Sequence, residues 1–227
     1  MDETSLVFRI STWVIPVVLA VTLHEASHGY VALRFGDDTA LRAGRITFNP
    51  LRHIDPFGTV LLPIMLLLAS SGNMTFGYAK PVPVDFMRLR PLRPGIVAVA
   101  FAGPGSNLLL AVISALLFNL VPGAPDWMIP WFVSTLLVSI LINLILCFFN
   151  LIPIPPLDGG RIAVAVLPAN LGARLARLER VGFVIILAAL FVLPLLGDSL
   201  GVDLNVFHWL IAEPAQQLTK WLLDMLT

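Results

Sequence analysis

Long apolar segments are the feature that most restricts how this sequence can fold. A helix that crosses a bilayer needs about 20 mainly apolar residues, and four segments meet this requirement, at about 6–35, 94–121, 131–152 and 179–196. Charged residues make up only 12% of the chain, roughly half the share found in soluble domains. The formal net charge is zero and no run of Lys or Arg suggests nucleic acid as a partner. The sequence therefore predicts an α-helical polytopic membrane protein, with one integral-membrane domain over residues 1–227.

Three other segments do not fit a simple spanning helix. Residues 57–69 are apolar, but about 13 residues are too few to cross an upright bilayer. Residues 76–85 contain two prolines, which predicts extended backbone. The tail 203–227 mixes Trp, Leu and Phe with charged residues, a pattern typical of an amphipathic helix at the membrane interface.

Arg and Lys are unevenly distributed among the connections between the apolar segments. They cluster in 34–52, 80–93 and 161–180, whereas the turns 122–130 and 197–203 carry Asp and neither Lys nor Arg. The positive-inside rule places the basic segments in the cytoplasm. Because basic segments lie on both sides of 57–69, we expect this run to dip into the membrane and return; a full crossing is the alternative. The distribution predicts a multi-pass protein of a cell membrane (plasma or inner).

An H-E-x-x-H pattern lies within the first apolar segment, as His24, Glu25 and His28. Residues i and i+4 of a helix lie on one face, so both imidazoles can reach one zinc ion, and the Glu can take a proton from a zinc-bound water. Ionisable residues within a membrane helix cost about 2.5–3.5 kcal/mol each on insertion scales, so three of them indicate a function. The alternative is a helix end that has left the membrane, but the apolar residues 31–33 continue the segment beyond the motif.

Asp158 is the best candidate for a third zinc ligand. Catalytic zinc usually has three protein ligands and an open fourth position. Asp158 follows a span that is broken by prolines, and the charge distribution brings it to the same side of the membrane as the H-E-x-x-H end of the first helix. An Asp before two glycines is also a common turn or N-cap residue, which is the alternative for Asp158.

Together with two further motifs, these residues resemble the site-2 protease family of intramembrane zinc metalloproteases. The motifs are His24-Glu25-x-x-His28, then Phe101-Ala-Gly-Pro-Gly-Ser-Asn107, then Asn150-x-x-Pro153 leading to Leu157-Asp158-Gly159. The resemblance implies a three-helix catalytic core at about 6–168, followed by a C-terminal span at 179–196 and the tail. No insertion is long enough for a PDZ or CBS module, so the chain looks like the compact members of the family.

The resemblance also implies an activity. The chain would be a metalloendopeptidase that hydrolyses peptide bonds in or near transmembrane segments of membrane proteins, with one Zn²⁺ per chain. The charge distribution described above predicts an active site toward the cytoplasm. His24, His28 and Asp158 would bind the zinc and Glu25 would be the catalytic base. Relatives commonly have a strand-rich element after the first motif, for which 42–48 and 76–84 are candidates. The sequence does not indicate a substrate or an oligomeric state.

Three more residues are candidates for stabilising the oxyanion or binding substrate, namely Asn107, Asn150 and His53. For each Asn, a hydrogen bond between helices is an equally good interpretation; for His53, a loop turn is the alternative. A rival function is a non-proteolytic metal-binding scaffold or inactive homologue. The presence of both the Glu and the Asp argues against it, because inactive homologues usually lose a ligand or the base.

Overall fold

The computed structural model describes residues 5–69, 77 and 79–227. Every regular element in this part of the chain is a helix. The α-helices are α1 (Leu6–Arg34), α2 (Thr39–Arg42), α3 (Leu62–Ala69), α4 (Leu92–Leu117), α5 (Ile129–Asn150), α6 (Asp158–Val166), α7 (Ala169–Ala176), α8 (Glu179–Leu187), α9 (Leu193–Leu200) and α10 (Glu213–Leu226). Short 3₁₀ or π segments are Pro50–Arg52, Pro56–Leu61, Phe86–Arg88, Phe118–Gly123, Ala188–Val192 and His208–Ala212.

Four helical stretches are long and apolar enough to cross a membrane, which confirms the predicted polytopic fold. They are Leu6–Arg34, Leu92–Gly123, Ile129–Asn150 and Glu179–Leu200. The last stretch continues beyond the predicted end at residue 196, because the chain first adopts a left-handed conformation at Gly201 (φ +69°). Their outer faces carry exposed apolar side chains such as Ile10, Leu109 and Val184, as expected for helices that face lipid.

Three of these helices, α1, α4 and α5, pack against one another and form the centre of the fold. Their contact faces carry small residues, including Ala20 on α1 and Ala111 and Ala115 on α4, all fully buried. Small side chains let the helix backbones approach closely, which is how helices associate where lipid supplies no hydrophobic driving force.

The tail helix α10 packs on this bundle. Ala215 and Leu222 are buried in one cluster with Ala111, Ile140 and Leu144. At the end of α10, the side-chain amide of Asn119 donates a 2.7 Å hydrogen bond to the carbonyl of Leu226. The amphipathic pattern expected for the tail is present, but its apolar face is covered by α4 and α5.

Side-chain hydrogen bonds, rather than strands, hold the connection between α1 and α4. The expected strand-rich element is absent from 42–48 and from the described part of 76–84 (77 and 79–84). Instead the buried carboxylate of Asp37 accepts hydrogen bonds from the backbone of Thr39 and Asp85. Arg88 forms a 2.7 Å ion pair with Asp38, which ties 85–88 to the end of α1.

Residues 56–69 form a helix of about 21 Å, which is shorter than a hydrocarbon core of about 30 Å. The re-entrant path expected for this segment stays a prediction.

Candidate active site

The imidazoles of His24 and His28 lie side by side on α1 and face Asp158. Their Nε2 atoms are 3.1 Å apart. Oδ2 of Asp158 lies 3.3 Å from Nε2 of His24 and 3.4 Å from Nε2 of His28. The three side chains are only 10%, 12% and 13% exposed. The structure therefore brings together the two histidines and the distant Asp that the sequence singled out.

Two glycines explain how Asp158 reaches α1. Asp158 is the first residue of α6, and α6 folds back against the chain that leaves α5. A Cβ atom on Gly159 would lie 2.2 Å from the carbonyl oxygen of Leu151, and one on Gly160 would lie 2.2 Å from the nitrogen of Pro155. Neither distance is compatible with a side chain, so only glycine allows this close approach.

Gly103 allows a similarly close approach between α4 and the two imidazoles. A Cβ atom at this position would lie 2.5 Å from Nε2 of His24 and 2.5 Å from Nε2 of His28. The bare backbone of α4 thus forms one wall of the site, directly against both imidazoles.

Each imidazole is oriented through its Nδ1 atom. Nδ1 of His28 lies 2.7 Å from the carbonyl oxygen of Val99, and Nδ1 of His24 lies 2.6 Å from Oδ1 of Asn107. An oxygen of either kind accepts a hydrogen bond, so Nδ1 carries the proton in both rings. In the neutral imidazole this leaves a lone pair on each Nε2, pointing toward Asp158.

The cluster fits a zinc ion. Two imidazole lone pairs and a carboxylate oxygen face one another, and Asp158 Oδ2 is buried without a hydrogen-bond partner among the described residues. Tetrahedral zinc with bonds of about 2.0–2.2 Å requires ligand atoms about 3.3–3.6 Å apart, close to the 3.1–3.4 Å observed. A metal ligand has to be deprotonated, so Asp158 would bind zinc as a carboxylate.

Proteins with similar sequences are named as zinc metalloproteases. The chain is 42% identical over 196 residues to the Bacillus subtilis (strain 168) protein named "Putative zinc metalloprotease YwhC", and the match covers 85% of each chain. The family model of peptidase family M50 matches residues 124–193. The chain belongs to peptidase family M50.

Two mycobacterial relatives of this M50 protease are more distant, and both are named "Putative zinc metalloprotease Rip2". The protein of Mycolicibacterium smegmatis is 32% identical over 179 residues, which are 76% of this chain and 64% of the relative. The protein of Mycobacterium tuberculosis H37Rv is 32% identical over 197 residues, which are 85% of this chain and 70% of the relative. No solved structure matches the chain. Family membership and the four apolar helices make this protein a membrane-embedded zinc metalloprotease.

Glu25 of the M50 protease contacts the connection between α1 and α4. Its half-buried carboxylate accepts a 2.8 Å hydrogen bond through Oε2 from the backbone N–H of Val82. The same connection is fixed at Lys80, whose N–H donates to the carbonyl of His53 and whose carbonyl accepts from Arg45. The segment 79–84, which has no regular secondary structure, is thus held beside the Glu of the H-E-x-x-H motif.

All four motif residues line one cavity of about 910 Å³. Its other walls are mainly apolar and come from α5, from the span that begins with α8, and from the segment 79–84. Residues that illustrate this lining are Ile142, Leu146, Phe149, Phe183, Ile186 and Val84. Such a cavity suits apolar substrate side chains next to a polar reaction centre.

The three other candidate residues, Asn107, Asn150 and His53, lie at different places in the structure. Asn150 lines the cavity, and its amide donates to the carbonyl of Leu146. Asn107 is fully buried and contacts His24 on the side away from Asp158, so it is not among the described residues that line the cavity. His53 is also outside this lining; it is buried in the connection, where Nε2 lies 3.0 Å from the carbonyl of Thr47. This position agrees with the alternative interpretation of His53, which was a residue of a loop turn.

Three partners of the site were missed from the sequence: Val99, Val82 and Asn143. Val99 and Val82 act through backbone atoms, which leave no trace in a sequence pattern. Asn143 contacts Asn107 inside the bundle, and a polar residue within a strongly apolar span is a signal that could have been noticed.

Proposed function

We propose that this M50 protease is an intramembrane endopeptidase that hydrolyses peptide bonds in or near transmembrane segments. The observation that carries the proposal is the position of the His24–His28–Asp158 cluster. It lies in the wall of an apolar cavity built by spanning helices. His24 is ten residues before Arg34 at the end of α1, or about 15 Å along the helix, and this is about half of a 30 Å hydrocarbon core.

In this proposal one zinc ion would be held by His24, His28 and Asp158, whose Nε2, Nε2 and Oδ2 atoms face one another. When bound, zinc supplies Lewis-acid chemistry, which polarises a carbonyl and makes a water more acidic. Glu25 accepts the proton of the attacking water at its carboxylate and delivers it to the leaving amine nitrogen. Val82 keeps the carboxylate in place through its N–H, and Asn150 is positioned at the cavity wall to donate to the substrate carbonyl.

We propose that this site faces the cytoplasm, and the distribution of basic residues supports this orientation. Arg34 and Arg93 lie at the ends of α1 and α4 nearest the cluster, and Arg161 follows Asp158 within α6. The positive-inside rule then places this end of the bundle on the cytoplasmic side.

A transmembrane substrate must unwind before its backbone can be cut, because a helix uses its own N–H and C=O groups. Ala79 and Pro81 line the cavity and alternate with Lys80 and Val82, whose N–H groups are bonded within the protein. We propose that their carbonyls accept hydrogen bonds from the unwound substrate, by partial strand addition. Substrates that are N-methylated at one residue at a time should be cut poorly at alternate positions; uniform cleavage would contradict this docking.

Cleavage in lipid vesicles tests the proposed activity. The protease is reconstituted with a single-span membrane protein, and mass spectrometry of the fragments locates the cut bond. We expect cuts in or near the apolar segment and a loss of about 10²–10⁴-fold in rate for Glu25→Gln. Glu213→Gln, which alters an exposed Glu of α10, is the matched control and should keep full activity. Equal rates for Glu25→Gln and wild type would point to an inactive scaffold.

A further inference from the structure

A directed row of hydrogen bonds runs through three helices to His24. The side-chain amide of Asn143 on α5 donates to the carbonyl of Ser139 at 2.8 Å. The amide of Asn107 on α4 donates to Oδ1 of Asn143 at 2.8 Å and to the carbonyl of Ala20 on α1 at 3.3 Å. Oδ1 of Asn107 lies 2.6 Å from Nδ1 of His24. Asn107 and Asn143 are 0% and 1% exposed, so water does not compete for these groups.

Backbone carbonyls fix the direction of this row. The carbonyl oxygens of Ser139 and Ala20 can only accept, so the NH₂ group of each Asn has to face them. Oδ1 of Asn143 then faces Asn107, and Oδ1 of Asn107 faces His24. Nδ1 of His24 therefore carries the proton, and Nε2 keeps the lone pair that faces His28 and Asp158.

We propose that Asn107 and Asn143 are positioning residues that set the tautomer and ring orientation of His24 for zinc binding. The inference rests on His24 being a zinc ligand, as proposed above. Asn143 hydrogen-bonds to Asn107 and Ser139 rather than to the imidazole, and it acts by holding the Asn107 amide in one orientation. If that amide turned over, its NH₂ group would face Nδ1 and favour the tautomer with a proton on Nε2, which cannot bind zinc through Nε2.

The two histidines differ in how they are oriented. Nδ1 of His28 faces the backbone carbonyl of Val99, and no side-chain substitution removes that acceptor. The orientation of the His24 ring depends on two side-chain amides, those of Asn107 and Asn143. A change at Asn143 is therefore expected to disturb one zinc ligand and leave the other in place.

A purely structural role is the competing explanation, because the Asn pair also joins α4 to α5. The chain offers a matched control for that role. The hydroxyls of Ser114 on α4 and Ser139 on α5 are 2.7 Å apart and join the same two helices. Ser114→Ala removes this contact without altering the row that leads to His24.

The test measures zinc affinity by chelator competition and the His24 tautomer by ¹⁵N NMR of histidine-labelled, zinc-free protein. We expect Asn143→Leu to weaken zinc binding by about 10–100-fold and to shift the His24 nitrogens toward the other tautomer. Asn143→Asp should restore both, because a neutral carboxyl group can donate to Ser139 and accept from Asn107. Ser114→Ala should lower thermal stability but keep wild-type affinity and spectrum.

If Asn143→Leu fails to fold, Asn143→Ala provides the same comparison without added volume. Wild-type zinc affinity and an unchanged His24 spectrum in the folded variant would overturn the positioning role while leaving the proposed protease intact. Absence of zinc binding in the wild type would overturn both. Weakened binding together with a shifted tautomer, absent in Ser114→Ala, would support the positioning role.

Discussion

The backbone N–H of Val82 donates a 2.8 Å hydrogen bond to the carboxylate of Glu25. This contact joins the proposed catalytic base to a segment 57 residues further along the chain. Val82 is itself buried, and its side chain packs near Gly29 on α1, one helical turn from Glu25. The segment therefore positions the base as well as lining the cavity.

Loss of this hydrogen bond should slow catalysis without loss of zinc. Val82→Pro removes the N–H in a segment that has no regular secondary structure and already contains Pro81 and Pro83. A hydrogen bond to a charged group is worth about 1.5–3 kcal/mol, so we expect kcat to fall by roughly 10- to 100-fold. Val82→Ala keeps the N–H and is the matched control. Equal kcat for Val82→Pro and Val82→Ala would show that the contact does not position Glu25.

Gly103→Ala should abolish zinc binding, because the added methyl group would overlap both imidazoles at 2.5 Å. Gly105→Ala is the control on the same helix; its methyl group would meet only the ring of Phe101, at 3.2 Å, and a ring can move aside. Metal analysis of the two purified variants checks the expectation. About one zinc per chain in Gly103→Ala would mean that the ligands lie elsewhere.

Asp37 should make the fold sensitive to acid. Burial alone would raise the pKa of Asp37, but hydrogen bonds from Thr39 and Asp85, with Arg88 nearby, lower it below its ordinary value. A depressed pKa means that the stabilisation is complete above about pH 4, the usual pKa of an unfolded Asp, and is lost as the pH falls further. Asp37→Asn should be less stable than wild type at pH 7 and should show a smaller drop in Tm on acidification below pH 4. An identical pH dependence of Tm would contradict the assignment.

The tail helix should contribute to stability through protein contacts. Leu222 is 4% exposed, within the cluster that includes Ile140 and Leu144. Leu222→Ala is expected to cost about 2–5 kcal/mol, seen as a lower Tm in detergent. Met225 on the same helix is 61% exposed, so Met225→Ala should change Tm little. Similar effects of the two substitutions would argue against packing of α10 on the bundle.

The cluster of His24, His28 and Asp158 could be predicted from the sequence because each part of it has a local signal. His24 and His28 are four residues apart in an apolar helix, and the distribution of Arg and Lys brings Asp158 to the same end of the bundle. The four spans were predictable for a similar reason, since length and hydropathy alone determine what can cross a bilayer.

The surroundings of the cluster could not be predicted in the same way. The path of the connection between α1 and α4 depends on the buried carboxylate of Asp37 and on backbone contacts such as Val82 to Glu25, which have no periodic pattern. Residues 42–48, a candidate for the strand-rich element, contain the end of α2 followed by turns and bends. Asn107 was singled out, but its contact with His24 depends on how α1, α4 and α5 pack.

Zinc content tests the central claim most directly. The wild-type chain, Glu25→Gln and Asp158→Ala are purified in detergent without chelators, and metal is measured per folded chain. We expect about one zinc in the wild type and in Glu25→Gln, because Glu25 is not a ligand, and a loss of zinc in Asp158→Ala. Undiminished zinc in Asp158→Ala, or no zinc in a folded wild-type preparation, would contradict a site built from His24, His28 and Asp158.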